Sequence, residues 1–253
     1  MFSRLFSRSA APSKPVSAHA PAGSRIYAIG DMHGRLDLLE RLRTVIVEDA
    51  KWHPAERKVV VYLGDYVDRG PDSRGIVDLL ARSPLPGFES IFLKGNHEDS
   101  MLQFLVDPGI GPTWLAYGGD ATLYSYGVRP PDPRKVDELL AAQKAFIAAL
   151  PPEHLKFLEA LKLVHIEGDY AFVHAGFRAG VPIEFQTPED MMWIRNEFLW
   201  SDADFGKVAV HGHTITTEPE IRPNRIGIDT GAFATGTLTC LVLEGAERRF
   251  LAT

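Results

Sequence analysis

Residues 58–70 read KVVVYLGDYVDRG, an apolar and β-branched run that ends at a glycine and is followed by two acidic residues and an arginine. The run predicts a buried strand, and the loop behind it carries Asp65 and Asp68. Residues 25–34 (RIYAIGDMHG) and residues 90–98 (SIFLKGNHE) have the same form. Three predicted strands therefore each lead into a glycine-framed loop that carries carboxylate, amide or imidazole side chains.

A helical pattern follows each of these loops. Leucines recur at helical spacing from residue 36 to about residue 48, and shorter helices are predicted at about 75–82 and 98–106. Strand, loop and helix repeated in this way are typical of successive βαβ units, whose loops gather at the carboxyl ends of parallel strands. The second half contains further predicted strands, at residues 171–173, 208–210, 225–228, 237–243 and 249–252. We therefore expect an α/β fold with two facing sheets flanked by helices.

The length of 253 residues suits one domain, which we place at residues 24–253. Prolines and glycines interrupt residues 107–168, within which helices are predicted at 136–150 and 153–163. We interpret residues 107–168 as a helical lid or rim of the domain. Residues 1–23 contain three basic residues and no acidic residue, and we expect them to form a disordered basic tail.

The composition argues against several classes of function. A formal net charge of −6 disfavours a nucleic-acid partner, because binding the phosphate backbone requires a clustered basic surface. No apolar run approaches the roughly 18 residues of a membrane-spanning helix, so we expect no membrane partner. Cys240 is the only cysteine, which fits a reducing compartment, and we expect the protein in the cytoplasm. Nothing in the sequence indicates the oligomeric state.

The side chains of the three loops are of the types that bind metal ions. Asp31 and His33 are two residues apart, and the flanking glycines allow the backbone to curl so that both reach one ion. Asp65 could bridge two cations through its two oxygens. The second ion would be held by further side chains near strand ends, Asn96, His174 and His213. Two divalent ions about 3.5–4 Å apart clamp a phosphoryl group and generate hydroxide at neutral pH, so the predicted chemistry is phosphate-ester hydrolysis.

Hydrolysis also requires a group that protonates the leaving oxygen. We assign this role to His97, and we expect Asp68 to accept a hydrogen bond from its other ring nitrogen and to raise its pKa. Arg69 offers a planar fork for bidentate phosphate binding, and Arg195 is our candidate for the opposite side of the substrate. His211 lies in the same histidine-rich segment as the last ligand, and we assign it no role.

These motifs resemble those of the phosphoprotein phosphatase branch of the calcineurin-like metallophosphoesterases. The matching segments are GDMHG, GDYVDRG and GNHE in the three loops, with WLAYGG at 114–119, VHAG at 173–176 and GHT at 212–214. In the last three segments the chain is similar to small bacterial and phage serine/threonine protein phosphatases. The resemblance spans about residues 25–231. It implies a four-layer α-β-β-α sandwich with two facing mixed sheets and the active-site loops at one edge.

The resemblance also implies roles for individual residues. It implies three ligands for a first metal ion: Asp31, His33 and Asp65. It implies four ligands for a second ion, one of them shared: Asp65, Asn96, His174 and His213. It further implies a catalytic pair, His97 with Asp68, and Arg69 as a phosphate ligand. Arg195 matches a Trp-x-Arg pattern of the family, and we expect Arg195 and Asn96 as further contacts to the substrate. We expect manganese as the metal, and the mixed ligand set leaves iron and zinc open.

We therefore predict a metal-dependent phosphomonoesterase that hydrolyses phosphoserine and phosphothreonine in proteins, by in-line attack of a hydroxide bound to the two metal ions. A symmetrical diadenosine tetraphosphate hydrolase is the alternative, although its usual GDxQG and GNHD motifs differ from this chain at His33 and Glu98. Phosphotyrosine and small phosphorylated metabolites are further alternative substrates. A catalytically silent scaffold would have a broken ligand set, whereas every predicted ligand is present in this sequence.

Overall fold

A computed structural model of the protein describes residues 18–253. Five strands form the first sheet: β1 (Ser24–Ile29), β2 (Arg57–Tyr62), β3 (Glu89–Phe92), β9 (Thr239–Glu244) and β10 (Glu247–Ala252). Their spatial order is β10-β9-β1-β2-β3. Strands β1, β2 and β3 are parallel, whereas β9 and β10 are antiparallel to their neighbours. The three strands that precede the loops with predicted metal ligands, here called the ligand loops, are therefore adjacent and end at the same edge of the sheet.

Five shorter strands form the second sheet: β4 (Val164–Glu167), β5 (Tyr170–Val173), β6 (Val208–His211), β7 (Glu220–Ile221) and β8 (Arg225–Gly227). The order is β4-β5-β6-β8-β7. Strands β5, β6 and β8 are parallel, and the edge strands β4 and β7 are antiparallel to them. The three parallel strands were predicted from the sequence, and the two edge strands were not.

Ten α-helices lie within residues 18–253. Three of them follow the ligand loops: α1 (Leu36–Trp52), α2 (Ser73–Arg82) and α3 (Asn96–Val106). Four lie in the middle of the chain: α4 (Gly111–Trp114), α5 (Asp120–Ser125), α6 (Val136–Ala149) and α7 (Pro152–Glu159). The last three are short: α8 (Pro188–Trp193), α9 (Asn196–Leu199) and α10 (Ala232–Thr235). Helix α1 continues past its predicted end near residue 48, because Ala50 in its last turn is still buried.

Alternating side chains on the strands divide the core into three apolar layers. Between the two sheets, Ile26 of β1 belongs to the same buried cluster as Phe172 of β5. On the outer face of the first sheet, Tyr27 belongs to a cluster with residues of α1, α2 and α3. On the outer face of the second sheet, Val173 shares a cluster with Phe198 of α9. The predicted four-layer α-β-β-α sandwich is therefore confirmed.

The segment 107–168, expected to be a helical lid or rim, is helical for most of its length and ends in strand β4. Trp114, Phe146 and Leu158 of this segment are fully buried in the cluster that also contains residues of α1, α2 and α3. The segment therefore forms part of the outer helical layer and of the core.

The chain before β1 differs from the expectation of a disordered tail over residues 1–23. Ala18 and Ala20 are buried in the cluster between the sheets, and the Ala20 N–H donates to the Gly245 carbonyl oxygen at 2.8 Å. The folded part of the protein therefore begins before residue 24, while residues 1–17 lie outside the described residues. Within residues 18–253, no helix combines the length and the apolar character needed to cross a membrane.

Candidate active site

The loops that follow β1, β2 and β3 pack against one another at the edge of the first sheet. The backbone N–H of His33 donates to the Asp65 carbonyl oxygen at 2.8 Å. Gly70 must lack a side chain here, because a Cβ atom would overlap the His33 carbonyl oxygen. The second sheet adds His174 directly after β5 and His213 shortly after β6. Five segments that are distant in sequence thus meet in one place.

Two groups of buried side chains have ligand atoms within 4.8 Å of one another. The first ligand group is His33, Asp65 and His97, and the second ligand group is Asp65, His174 and His213. Asp65 belongs to both, and its Oδ2 atom lies 3.5 Å from His33 Nε2 and 3.4 Å from His174 Nε2. Asn96 lies beside the second ligand group, with its Oδ1 atom 3.0 Å from His174 Nε2. The shared position of Asp65 is the one that a bridging carboxylate requires.

Asp31 lies next to these groups without belonging to either. Its Oδ2 atom accepts the backbone N–H of His213 at 2.9 Å. Its Oδ1 atom and the Nε2 atom of His213 are both buried without a hydrogen-bond partner among residues 18–253. Burial and the nearby carboxylates of Asp229 and Asp65 raise the pKa of Asp31. A bound cation would satisfy the unpartnered atoms and offset the crowded carboxylates, so this set of side chains fits divalent metal ions.

The protonation states of the ligand groups favour metal binding. Burial lowers the pKa of His33 to about 3 and that of His213 to about 2, so both imidazoles are neutral at neutral pH. Burial also lowers the pKa of His174. For Asp65, burial alone would raise the pKa, but the surrounding histidines, His174 foremost, lower it overall. Neutral imidazoles and an ionised carboxylate are the forms that coordinate metals.

His97, the predicted proton donor, is hydrogen-bonded to Asp68 and lies close to Asp65. Its Nδ1–H donates to Asp68 Oδ2 at 2.7 Å, and its Nε2 atom lies 3.8 Å from Asp65 Oδ2. Burial by itself would lower the pKa of His97, but the carboxylates of Asp65 and Asp68 raise it above its ordinary value. The Arg69 guanidinium lies beside the ring, with one nitrogen 3.1 Å from His97 Nε2 and another 3.0 Å from His33 Nε2. His97 thus belongs to the first ligand group and is tied to Asp68, and the Arg69 guanidinium borders the same group.

Arg195 lies next to the second ligand group. Its guanidinium donates to the His213 carbonyl oxygen and to the Thr214 hydroxyl, both at 3.2 Å. His211 is not brought to either ligand group. Its buried ring packs edge-on against Phe198, with the centroids 5.0 Å apart. The structure therefore gives His211 a packing role in the outer layer of the second sheet.

Backbone strain is concentrated at this site. Five residues other than glycine have positive φ angles within residues 18–253, and all of them are predicted site residues: His33, Asp65, Asp68, Arg69 and His213. Such conformations cost about 1–3 kcal/mol each and persist only where the surrounding structure holds them. Glu98 provides one such support. Its buried carboxylate accepts four backbone N–H groups at 2.7–3.2 Å, those of Asp65, Tyr66, Val67 and Gly95.

Several residues at the site were missed by the sequence analysis. Asp229 is buried beside Asp31, and it follows an apolar strand and precedes a Thr-Gly pair, a signal similar to that of the other loops. Three aromatic rings also flank the ligand groups: Phe233 is 5.5 Å from His33, Tyr117 is 6.2 Å from His97, and Trp193 is 6.4 Å from His213 between ring centroids. No periodicity or spacing in the sequence indicates these rings.

Known proteins are similar to this chain over most of its length. Serine/threonine-protein phosphatase 2 of Escherichia coli is 26% identical over 233 residues, which cover 85% of this chain and 90% of that protein. The asymmetrical bis(5′-nucleosyl)-tetraphosphatase PrpE of Anoxybacillus flavithermus is 26% identical over 235 residues, which cover 84% and 88%. A crystal structure of a candidate diadenosine tetraphosphatase has a TM-score of 0.60 at 21% identity and covers 93% of this chain and 98% of that one. The structural likeness supports the fold alone.

The family model described as calcineurin-like phosphoesterase matches residues 24–234. This range covers most of the chain and contains all of the residues predicted to bind metal or substrate. The resemblance read from the three loops is therefore confirmed. The chain belongs to the calcineurin-like phosphoesterase family.

Proposed function

We propose that the protein is a metal-dependent phosphomonoesterase that hydrolyses phosphoserine and phosphothreonine in proteins. The observation that carries the proposal is the position of His97, whose Nε2 atom lies 3.8 Å from the Oδ2 atom of Asp65, the residue shared by both ligand groups. A proton donor at this distance can reach the leaving oxygen of a phosphate ester that is held at the ligand groups. When bound, two divalent ions would supply the positive charge that holds the phosphate and lowers the pKa of the attacking water.

Each side chain has a proposed part in the reaction. The ions would be held by six residues: Asp31, His33, Asp65, Asn96, His174 and His213. Arg69 would bind phosphoryl oxygens through its guanidinium fork, with Arg195 and Asn96 as further contacts to the substrate. His97 would donate the proton on Nε2 to the leaving oxygen, while Asp68 holds the ring in place through Nδ1. The products would be a free hydroxyl side chain and inorganic phosphate.

The second candidate function is hydrolysis of dinucleoside tetraphosphates. It is supported by the names of several relatives, which are asymmetrical rather than symmetrical bis(5′-nucleosyl)-tetraphosphatases. It is also supported by Tyr117, Trp193 and Phe233, because aromatic rings beside a phosphate site can stack on a nucleobase. The same rings could pack against the apolar part of a phosphopeptide, so they do not exclude the first candidate.

A substrate panel separates the two candidates. The protein, reconstituted with Mn²⁺, is given peptides that carry phosphoserine, phosphothreonine or phosphotyrosine, and in parallel diadenosine tetraphosphate. We expect kcat/KM to be highest for the phosphoserine and phosphothreonine peptides. A higher value for diadenosine tetraphosphate, with ATP and AMP as products, would favour the second candidate, whereas two ADP molecules would indicate symmetrical cleavage. No turnover of any of these substrates or of p-nitrophenyl phosphate would contradict both.

The role of His97 is tested in the same assay. We expect His97→Asn to lower kcat by roughly 10²–10⁴ while two metal ions per chain are retained. His53→Asn is the matched control, because His53 is exposed and its ring contacts Asp49 and the Arg249 guanidinium, neither of which belongs to a ligand group. Unchanged turnover in His97→Asn would remove His97 from the mechanism. Turnover after reconstitution with each metal in turn tests the preference for manganese. The cytoplasmic location of the protein stays a prediction.

A further inference from the structure

Asp68 receives more hydrogen bonds than the orientation of His97 alone would require. In addition to His97, the indole N–H of Trp114 donates to Asp68 Oδ2 at 2.9 Å, and the hydroxyl of Thr122 donates to Oδ1 at 2.6 Å. Asp68, Trp114 and Thr122 are all fully buried. The two added donors come from the segment 107–168, which lies between Asn96 and His174 in sequence and supplies no predicted ligand.

The segment 107–168 also accepts hydrogen bonds from the backbone of the loop that carries Asp68 and Arg69. The Asp68 N–H donates to Thr122 Oγ1 at 2.9 Å and to Ser73 Oγ at 3.0 Å, and the Arg69 N–H donates to the Gly118 carbonyl oxygen at 3.0 Å. Asp68 and Arg69 have φ angles of 71° and 67°, which residues other than glycine adopt only where the surrounding structure constrains them. The Thr122 hydroxyl therefore fixes both the backbone and the carboxylate of Asp68.

Packing alone accounts for only part of this arrangement. Trp114 packs against Phe104 and Phe146, with ring centroids 4.9 and 5.8 Å apart, and an aromatic residue without an N–H group could do the same. What packing does not explain is the convergence of two donors from separate turns on one buried carboxylate. With a donor fixed at each oxygen, the carboxylate cannot rotate, and the acceptor of His97 Nδ1–H stays in place.

We propose that Trp114 and Thr122 are positioning residues of the reaction, which act through Asp68 to aim the Nε2–H of His97 at the leaving oxygen. The inference rests on the role proposed above for His97. In the step concerned, a water oxygen bonds to phosphorus and the P–O bond to the leaving group breaks. The proton on His97 Nε2 moves to the leaving oxygen, and a proton from the water restores the imidazolium. Esters with strongly basic leaving groups therefore depend on Trp114 and Thr122, and esters with weakly basic leaving groups depend on them little.

Two aryl phosphates test this dependence. p-Nitrophenolate is a weak base that departs with little help from an acid, whereas phenolate is a stronger base and needs the proton. We expect Thr122→Val and Trp114→Phe to lower kcat by about tenfold or more on phenyl phosphate and by less than about threefold on p-nitrophenyl phosphate, with KM nearly unchanged. Thr122→Ser should restore wild-type behaviour because it keeps the hydroxyl. Ser125→Ala is the matched control, since Ser125 is in the same helix and its hydroxyl donates to the Thr122 carbonyl oxygen rather than to Asp68.

A second readout does not depend on turnover. In the metal-free protein, the His97 ring proton that is donated to Asp68 should give a low-field proton NMR signal, which His97→Asn identifies by removing it. We expect Thr122→Val and Trp114→Phe to shift this signal and to broaden it by exchange with water. Ser125→Ala should leave it unchanged.

The outcomes separate this inference from the proposed function. If Thr122→Val and Trp114→Phe lower kcat equally on the two esters, or lower it on neither, the positioning role is overturned. If His97→Asn also lacks the dependence on the leaving group, the role proposed for His97 fails. If His97→Asn has the dependence and Thr122→Val does not, only the present inference fails. Thr122→Val keeps the side-chain volume and carries the test if Trp114→Phe does not fold.

Discussion

The carboxylate of Asp31 accepts the backbone N–H of His213 at 2.9 Å, although the two residues are 182 positions apart. Asp31 follows β1 in the first sheet, and His213 follows β6 in the second sheet. The hydrogen bond therefore joins the edges of the two sheets at the point where the ligand groups lie. It leaves the other Asp31 oxygen and the Nε2 atom of His213 free of partners among residues 18–253. The sandwich is thus closed by a residue that also has a predicted metal-binding role.

Asp31→Asn should separate these two functions. The variant keeps an oxygen that accepts the His213 N–H but removes the negative charge. Loss of a residue that supports a metal ligand costs about 10–100-fold in metal affinity, so loss of a ligand charge should cost at least about 100-fold. We expect elemental analysis to find fewer than two ions per chain, with a fold unchanged by circular dichroism. Asp37→Asn is the control, because Asp37 is half-exposed and pairs with Arg35, and a normal metal content in Asp31→Asn would remove Asp31 from the ligand set.

Glu98→Gln should destabilise the whole protein. Its carboxylate accepts four backbone N–H groups, and a glutamine amide has one oxygen to offer and turns an NH₂ group towards the remaining donors. Leaving buried donors without acceptors should lower the free energy of unfolding by about 3 kcal/mol or more. Urea unfolding measures this, with Glu89→Gln as the control, because Glu89 forms an exposed ion pair with Arg57. Equal unfolding midpoints for the two variants would contradict the supporting role of Glu98.

The two arginines should differ in their effect on substrate binding. The Arg69 guanidinium already lies 3.0–3.1 Å from His33 and His97, whereas the exposed Arg195 is bonded to the His213 carbonyl and Thr214. A hydrogen bond to a charged group contributes about 1.5–3 kcal/mol, so we expect Arg69→Ala to raise KM and the inhibition constant of inorganic phosphate by about 10–100-fold. Arg195→Ala should change both constants less. If Arg195→Ala raises these two constants more than Arg69→Ala does, Arg195 rather than Arg69 is the main phosphate contact.

Tyr62→Phe should stabilise the protein. The Tyr62 hydroxyl is buried without a hydrogen-bond partner among residues 18–253, so its removal should raise the free energy of unfolding by about 1 kcal/mol. Burial also raises the pKa of Tyr62 above its ordinary value of 10.0. Above that pH the unfolded state, in which Tyr62 ionises, binds fewer protons than the folded state. The ionisation of Tyr62 therefore leaves the free energy of unfolding unchanged below about pH 10 and lowers it as the pH rises further.

The pH dependence provides a second test of the same residue. Urea unfolding at neutral pH and at about pH 10.5 should show that Tyr62→Phe loses less stability than the wild type between the two conditions. Tyr124→Phe is the control, because the Tyr124 side chain is largely exposed. If Tyr62→Phe is less stable than the wild type at neutral pH, the hydroxyl has a partner that the contacts do not reveal.

The parts of the fold that the sequence predicted are those with a local signal. Strands β1 and β2 are buried apolar runs, and the glycine after each marks the loop that carries Asp31 or Asp65. Strand β7 has only two residues and β4 follows a helical segment, so neither has a run long enough to recognise. Helix α3 begins at Asn96, earlier than predicted, because Glu98 satisfies the backbone at its start.

In the candidate site, too, the residues that the sequence predicted are those with a local signal. The ligands and His97 stand in short motifs, and the structure brings them together. The hydrogen bonds of Asp68 to Trp114 and Thr122 join residues 46 and 54 positions apart, and only tertiary packing places these pairs in contact. A single sequence has no periodicity that predicts which buried indole finds a carboxylate.

The left-handed backbone at five site residues has a consequence for evolution in the laboratory. Strain of this kind lowers the stability of the folded state, and the proposed function gives a reason to keep it. Glycine at those positions would relieve the strain but would remove predicted metal ligands, the Arg69 guanidinium or the Asp68 carboxylate. A population selected only for resistance to heat should therefore accumulate inactive clones with changes in these loops, whereas a population selected for turnover has to gain its robustness in the distant apolar layers.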